Sequence, residues 1–214
     1  MTLRNLMRVH EDVLRQGWAL TTATEMGLDT AGTREALAPA LAPDPRGPGK
    51  QQALDVVTYE RDGAHLLVAE AESNDIGGVP GGISRCWLIG PPGGAAAPAG
   101  DLVARAVLRM APVSLRRAAG RMSATFLRYG PGAEANAHQD KFGDMVVIWV
   151  LDRDGDGGQS FLLTPDREDA LRRTLAVGEM LIFRDEMFLH GVTAMRGEGA
   201  SRDALVFITL RDGS

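Results

Sequence analysis

Two potential metal ligands stand one residue apart in the segment Ala137-His138-Gln139-Asp140. In a β-strand, side chains at positions i and i+2 point to the same face, so an imidazole and a carboxylate at this spacing can converge on one ion. His190 is the one other histidine in the C-terminal half, 190 − 140 = 50 residues beyond Asp140. Two histidines and one carboxylate leave positions open on the opposite side of a metal, which suits oxygen chemistry at Fe(II).

The composition is that of an ordinary globular protein. The chain has 214 residues, of which 44% are hydrophobic and 24% are charged, enough for one well-buried core. We therefore expect a single domain over residues 1–214. The formal net charge is -5 and no long basic run occurs, so neither nucleic acid nor an anionic membrane surface is expected as a partner.

Membrane and disulfide chemistry are also not expected. No apolar stretch approaches the length that crosses a bilayer, and residues 1–10 lack the pattern of a signal peptide, so we expect a cytoplasmic location. Cys86 is the only cysteine, which excludes an internal disulfide and a zinc site built from several cysteines.

The first half of the sequence combines helical patterns with short strand-like runs. Helical spacing of apolar residues is found at residues 3–16, 33–41 and 102–110. Runs of β-branched and apolar residues predict strands at 53–59, 64–69 and 84–89. Between them, the polar, glycine-rich segment 72–82 is either a mobile lid or an exposed connection.

The second half is dominated by strand-like runs. Turn signals rich in glycine separate them, notably at residues 154–158 and 196–199. Many short strands with such turns favour a sandwich or barrel. We therefore predict an α+β chain, in which residues 1–120 form a helix-rich supporting half with a substrate loop and residues 121–214 form a metal-binding β core. The predicted strands of that core are 122–129, 145–151, 159–164, 180–183 and 204–210.

Four motifs follow one another in this β core. They are Tyr129-Gly130-Pro131-Gly132, His138-Gln139-Asp140, His190-Gly191-Val192, and Arg202 before a closing strand. Their order and spacing resemble the Fe(II)- and 2-oxoglutarate-dependent dioxygenases. The resemblance implies a double-stranded β-helix, a jelly-roll core like that of the cupins, with N-terminal helices at its flank.

The same resemblance assigns cofactors and site residues. It implies that His138, Asp140 and His190 bind Fe(II). It also implies that Arg202, at 202 − 190 = 12 residues beyond the second histidine, holds the distal carboxylate of 2-oxoglutarate. A planar guanidinium suits that role because its parallel N–H donors fit both carboxylate oxygens. Tyr129 stands where a phenol could reach the cosubstrate, although a core tyrosine is an equally good interpretation.

A narrower resemblance concerns the substrate. His190-Gly191-Val192-Thr193, Arg202-Asp203 and the short chain are similar to the bacterial group that hydroxylates free L-amino acids, typified by isoleucine hydroxylases. The resemblance implies hydroxylation of an unactivated C–H bond with release of succinate and CO2. The sequence departs from the family at Ala204, where a serine is usual two residues after the anchoring arginine.

The expected partners are an amino acid or close derivative and O2, and a homodimer stays open as an assembly. A zwitterion needs an acid for its ammonium group and a base for its carboxylate. Because Arg128 and Tyr129 are neighbours, one of them faces inward if the strand is regular, and the sequence does not decide which. The candidate substrate residues are Asn74, Arg85, Arg128, Asp144 and Glu186.

Two alternatives stay open. The same iron core could act on a carrier-tethered or peptidyl residue in natural-product biosynthesis, although the acidic net charge disfavours docking an acidic carrier. The chain could also be a non-catalytic, cupin-like module that binds a small ligand. In that module Arg202 would have no reason to face the metal.

Overall fold

A computed structural model describes residues 3–37, 57–61, 64–74, 83–88, 122–140 and 143–210 of the chain. These residues form two helices, α1 (Leu3–Gln16) and α2 (Thr30–Leu37), and a 3-10 turn at Asp185–Met187. No helix within these ranges is long and apolar enough to cross a membrane. The strands are β1 (Trp18–Thr22), β2 (Val57–Arg61), β3 (Ala64–Asn74), β4 (Ile83–Leu88), β5 (Met122–Tyr129), β6 (Ala135–His138), β7 (Gly143–Gly157), β8 (Ser160–Leu163), β9 (Asp169–Arg173), β10 (Glu179–Arg184), β11 (Leu189–Val192) and β12 (Met195–Leu210).

The strands form two antiparallel sheets. The larger sheet has the order β1-β10-β7-β12-β5-β4-β3-β2, and the smaller has the order β6-β11-β8-β9. The long strands β7 and β12 lie side by side in the middle of the larger sheet. Strands β6 and β11, which carry the two histidines of interest, are neighbours in the smaller sheet.

The hydrophobic core lies between the two sheets. It includes residues of the larger sheet, such as Ile148, Phe183 and Ala204, together with Leu162 of the smaller sheet. Strand β7 is buried on both faces, since every residue from Met145 to Leu151 is buried. This explains why the apolar run in β7 is continuous rather than alternating.

The N-terminal elements agree closely with the sequence pattern. Helix α1 has the predicted limits, and Gly17 ends it with φ 83° and an N–H donated to the Val13 carbonyl at 2.9 Å. Helix α2 begins at Thr30, earlier than predicted, because the Asp29 carboxylate caps it by accepting the Gly32 N–H at 3.1 Å. The helix predicted at 102–110 lies outside the described residues.

Several strands are longer than predicted. Strand β3 runs to Asn74 and so includes the first residues of the segment predicted as a lid or connection. The predicted turns at 154–158 and 196–199 fall largely within β7 and β12, and β6, β9 and β11 were not predicted. Within β7, Gly157 has φ 77°, and a Cβ there would lie 2.1 Å from the Ala194 carbonyl oxygen. Glycine is therefore needed for strand contact at this position, and the turn prediction was wrong.

Gly191 provides a test of how tightly β6 and β11 are packed. A Cβ at this position would lie 2.4 Å from the Ala135 carbonyl oxygen of β6 and 2.4 Å from the Phe161 ring. We expect Gly191→Ala to push the strands apart, to lower the free energy of unfolding by about 1–3 kcal/mol, and to weaken Mn(II) binding at least tenfold. Urea unfolding and calorimetric titration with Mn(II) measure the two effects.

Gly199→Ala is the matched control for this experiment. Gly199 has φ 75°, but a Cβ there meets no atom within 4 Å. In this variant the free energy of unfolding should fall by about 1 kcal/mol because of backbone strain, and the Mn(II) affinity should equal that of the wild type. Unchanged Mn(II) affinity in Gly191→Ala would show that the strand contact does not position the histidines.

Candidate active site

Pairing of β6 with β11 brings the predicted metal ligands together. His138 lies directly opposite His190 in this pair, and their ring centroids are 4.3 Å apart. Asp140 follows β6 by two residues, and its Oδ2 lies 3.5 Å from His190 Nε2. One ligand atom from each of the three residues falls within 4.8 Å of the others. The i, i+2 spacing and the distant histidine therefore do converge.

The hydrogen bonds of the two imidazoles leave one ring nitrogen of each for a ligand. The Nδ1 of His138 lies 2.7 Å from the Asn136 carbonyl oxygen, which can only accept, so Nδ1 carries the hydrogen. In the neutral ring, Nε2 of His138 then carries the lone pair that can bind a ligand. His190 presents Nε2 towards Asp140, so the side of the ring opposite Nδ1 faces the cluster.

Burial determines the charge of His190. Its ring is 4.9 Å from Phe183, and the residue is only 6% exposed. Desolvation, followed by the charge of His138, lowers the pKa of His190 to about 3. His190 is therefore neutral at physiological pH, which is the form that binds metals. His138 is exposed, so the cluster is open to solvent on one side.

This donor set fits a divalent first-row metal. Two neutral imidazoles and one carboxylate are the ligands of non-haem Fe(II) sites that keep positions open for substrates. No described residue other than His138, Asp140 and His190 belongs to a group of three or more such side chains near enough to hold an ion. These three residues could therefore hold Fe(II) at the edge of the inter-sheet core.

Arg202 is a buried cation beside this core. It lies opposite Tyr129 in the β5–β12 pair, and its guanidinium carbon is 5.3 Å from the centre of the Tyr129 ring. One guanidinium nitrogen donates to Ser160 Oγ at 2.9 Å. Within the described part of the chain, its buried Nε has no hydrogen-bond partner and no ion pair includes Arg202.

The electrostatics of Arg202 favour an anion at this place. Burial is the largest cause that lowers its pKa, and neighbouring Arg153 acts in the same direction, whereas Tyr129 raises the pKa. A cation that is taken out of water without a carboxylate is costly unless a ligand supplies the negative charge. The arrangement is therefore suited to binding a carboxylate from outside the chain.

Ser160 is a site residue that the sequence alone did not reveal. It begins β8 in the smaller sheet and is fully buried, so its bond to Arg202 joins the two sheets. Ala204, where the resembled family usually has a serine, is packed in the apolar core. Ser160 thus supplies a hydroxyl near the guanidinium from another strand. A polar residue within the buried run Ser160-Phe161-Leu162-Leu163 was the signal available.

Arg128 and Tyr129 face opposite sides of β5, and Tyr129 is the inward one. Arg128 makes two hydrogen bonds of 2.7 Å to the carboxylate of Asp203, which is buried. This contact with Asp203 raises the pKa of Arg128 more than any other cause. The pair ties β5 to β12 on the face away from Arg202. The sequence indicated Asp203 only within the motif Arg202-Asp203 and predicted no partner for it.

The other predicted substrate residues are dispersed. Glu186 is exposed on the 3-10 turn and forms an ion pair with Arg184. Asn74 ends β3, opposite Ile83 of β4, and Ile83 is opposite Tyr129, so Asn74 stands in the same cross-strand row as Arg202. Only the backbone is described for Asn74, Arg85 of β4 and Asp144 of β7. Substrate roles for all of these residues stay predictions.

Comparison with known proteins bears on the part of the chain that carries this site. Residues 112–208 match the family described as 2OG-Fe dioxygenase. The match includes the histidine and aspartate cluster and Arg202. It implies Fe(II) and 2-oxoglutarate as cofactors, with O2 and a small-molecule substrate, as the sequence predicted. No curated protein sequence matches the chain.

Solved structures of oxygenases are similar to this chain in fold. A prolyl-4-hydroxylase from Pseudomonas putida superimposes with TM-score 0.58 at 19% identity, covering 97% of this chain and 100% of that one. A 2OG-Fe(II) oxygenase family oxidoreductase from Burkholderia pseudomallei gives TM-score 0.59 at 13% identity, covering 95% and 89% of the two chains. A third similar structure is a prolyl hydroxylase from Trichoplax adhaerens, solved with a peptide fragment of the hypoxia inducible factor oxygen degradation domain. It superimposes with TM-score 0.56 at 13% identity, covering 97% of this chain and 90% of that one.

These findings confirm the coarser predictions. The antiparallel sheets match the jelly-roll-like fold of 2OG-Fe(II) oxygenases, and the family match supports that superfamily. The described part of residues 1–120 contains four strands besides its two helices, so β structure is not confined to the second half.

The pKa of His190 predicts a pH-dependent stability for the metal-free protein. The pKa of His190 is about 3 in the folded protein and ordinarily 6.5. Between these pH values His190 is therefore protonated in the unfolded chain and neutral in the folded chain. The free energy of unfolding should therefore decrease as pH falls below about 6.5, by at most about 1.4 kcal/mol per unit. Urea unfolding at pH 7, 6 and 5 with a chelator present measures the slope.

Comparison of the wild type with His190→Gln isolates this effect, because all the other titratable groups are the same in both proteins. The variant should show a shallower decrease between pH 7 and pH 5. Identical slopes in the two proteins would contradict a buried, neutral His190.

Proposed function

We propose that this protein is an Fe(II)- and 2-oxoglutarate-dependent dioxygenase that hydroxylates an unactivated C–H bond of a free L-amino acid or a close derivative. The observation that carries the proposal is Arg202, a buried guanidinium with spare donors in the same core as the metal cluster. A non-catalytic metal module has no use for such a buried charge. The two sheets would then form the double-stranded β-helix of this superfamily.

The spacing of the site suits 2-oxoglutarate. Ser160, which contacts Arg202, is opposite Val192, and His190 is opposite Leu162 in the β8–β11 pair. Ser160 is therefore two residues along the strand from the row of His190, or about 6.6 Å. A five-carbon keto diacid can bridge such a gap, with its keto end at the metal cluster and its distal carboxylate at Arg202.

Each residue then has a defined task. His138, Asp140 and His190 hold the metal through two neutral imidazoles and one carboxylate. Arg202, with Ser160 and Tyr129 beside it, binds and orients the distal carboxylate. Bound Fe(II) supplies the redox chemistry by which 2-oxoglutarate, O2 and R–H become succinate, CO2 and R–OH. The apolar packing around Phe183 keeps water from the inner side of the site.

The proposed substrate class follows from the sequence motifs. His190-Gly191-Val192-Thr193 and Arg202-Asp203 resemble the bacterial hydroxylases of free amino acids. Asn74 and Arg85 are the favoured substrate contacts, because β3 and β4 extend the sheet next to β5 and Tyr129. Arg128 is less favoured, since its guanidinium is occupied by Asp203.

Turnover with a panel of substrates tests the proposal. Fe(II)-loaded protein is incubated with 2-oxoglutarate, O2 and each of the common free L-amino acids, together with short peptides that contain the same residues. We expect at least one free amino acid to yield succinate and a product heavier by one oxygen atom. Succinate is measured by chromatography and the product by mass spectrometry.

His138→Ala is the matched inactive control and should yield neither product. Hydroxylation of peptides alone would overturn the assignment to free amino acids while retaining the oxygenase chemistry. Metal binding without succinate from any substrate would contradict the enzymatic function and favour the binding module.

A further inference from the structure

A buried carboxylate outside the predicted ligand set lies between two of its members. Asp185 begins the 3-10 turn that connects β10 to β11, and it is only 1% exposed. Its Oδ1 accepts the backbone N–H of Asp140 at 3.1 Å. The same oxygen lies 3.5 Å from Nδ1 of His190. One carboxylate oxygen therefore faces both the backbone of one ligand and the ring of another.

The ring of His190 requires an acceptor at this place. Its Nε2 faces Asp140, so a metal in the cluster would take the lone pair of Nε2 and leave the hydrogen on Nδ1. Nδ1 is buried, and none of the residues that the structure describes forms a hydrogen bond with it. Asp185 Oδ1 is 3.5 Å away, so a small movement of the ring towards it completes the bond.

The backbone around Asp185 is held firmly. Its backbone carbonyl oxygen accepts a hydrogen bond from the side-chain amide of Gln139 at 3.1 Å and another from the backbone N–H of Phe188 at 3.3 Å. The preceding residue, Arg184, donates its N–H to the Gly17 carbonyl at 2.9 Å. Asp185 thus joins the segment that carries Asp140 to the segment that carries His190.

We propose that Asp185 is a positioning residue of the metal centre. Its carboxylate fixes His190 in the Nδ1–H form, directs Nε2 to the metal, and holds the backbone of Asp140 beside it. The negative charge makes the imidazole a stronger ligand. The inference rests on the proposed function only in placing a metal at His138, Asp140 and His190.

Zinc binding separates this role from a purely structural one. Zn(II), which is redox-inert, is titrated against a chromophoric chelator in the wild type, Asp185→Asn and Asp185→Ala. Loss of the carboxylate should weaken Zn(II) binding about 10–100-fold in Asp185→Ala. Asp185→Asn keeps the size and one acceptor oxygen, so it should fold and show a smaller loss of affinity.

Asp203→Asn is the matched control, because Asp203 is a similarly buried carboxylate with a hydrogen-bonded partner, Arg128. It should lower the free energy of unfolding without changing Zn(II) affinity. Equal Zn(II) affinities for the wild type and both Asp185 variants would overturn the proposal.

A spectroscopic signature tests the hydrogen bond directly. In Zn(II)-loaded protein with ¹⁵N-labelled histidine, the Nδ1–H proton of His190 should resonate far downfield in the wild type and move upfield in Asp185→Asn, because a neutral amide is a weaker acceptor. An unmoved signal would overturn the proposal even if Asp185→Ala fails to fold.

The results also distinguish this inference from the proposed function. If the Nδ1–H signal of His190 moves in Asp185→Asn but the wild type never forms succinate, the positioning role of Asp185 stands and the dioxygenase function is rejected. If the wild type forms succinate but the Nδ1–H signal does not move, the dioxygenase function stands and the positioning role of Asp185 is rejected.

Discussion

The pairing of β6 with β11 is the constraint on which the site depends. It places His138 opposite His190 and leaves Asp140 within reach of both rings. The pairing needs Gly191, whose missing side chain allows the Ala135 carbonyl and the Phe161 ring to approach β11 closely. The larger sheet then closes the inner side with apolar residues of β7, β10 and β12. The result is a cluster of candidate metal ligands that is open to solvent on one side.

Buried charged groups are a second constraint on this part of the structure. Desolvation is unfavourable for each charged group in the core, so each needs a partner. Asp203 has Arg128, and Asp185 has the backbone of Asp140 with His190 nearby. Arg202 differs, because it has the Ser160 hydroxyl and the Tyr129 ring but no ion pair within the described part of the chain. A local imbalance of this kind is expected where a ligand completes the structure.

The sequence predicted what depends on local spacing. The helical period of α1 is a short-range pattern that the structure confirms. The i, i+2 spacing of His138 and Asp140 is another, and their ligand atoms do lie close together, although β6 ends at His138. Strand limits were less predictable, since glycines typical of turns lie within the long pair β7 and β12.

Contacts between distant segments could not be predicted. Ser160 lies 42 residues from Arg202, Asp185 lies 45 residues from Asp140, and Asp203 lies 75 residues from Arg128. No local pattern joins residues that are so far apart in sequence. For the same reason, the sequence placed a carboxylate anchor at Arg202 through resemblance alone, and that role is part of our proposal. The structure shows that the guanidinium is buried and donates to Ser160.

Anaerobic titration of the Fe(II)-loaded protein with 2-oxoglutarate tests the central claim most directly. A keto acid chelated to Fe(II) gives a weak visible charge-transfer band, which can be followed in the wild type and in Arg202→Met. The band should form in the wild type, and the variant should need at least about 30-fold more 2-oxoglutarate, corresponding to about 2 kcal/mol for a lost buried charge pair. No band at any concentration, or equal affinities in the two proteins, would contradict the account.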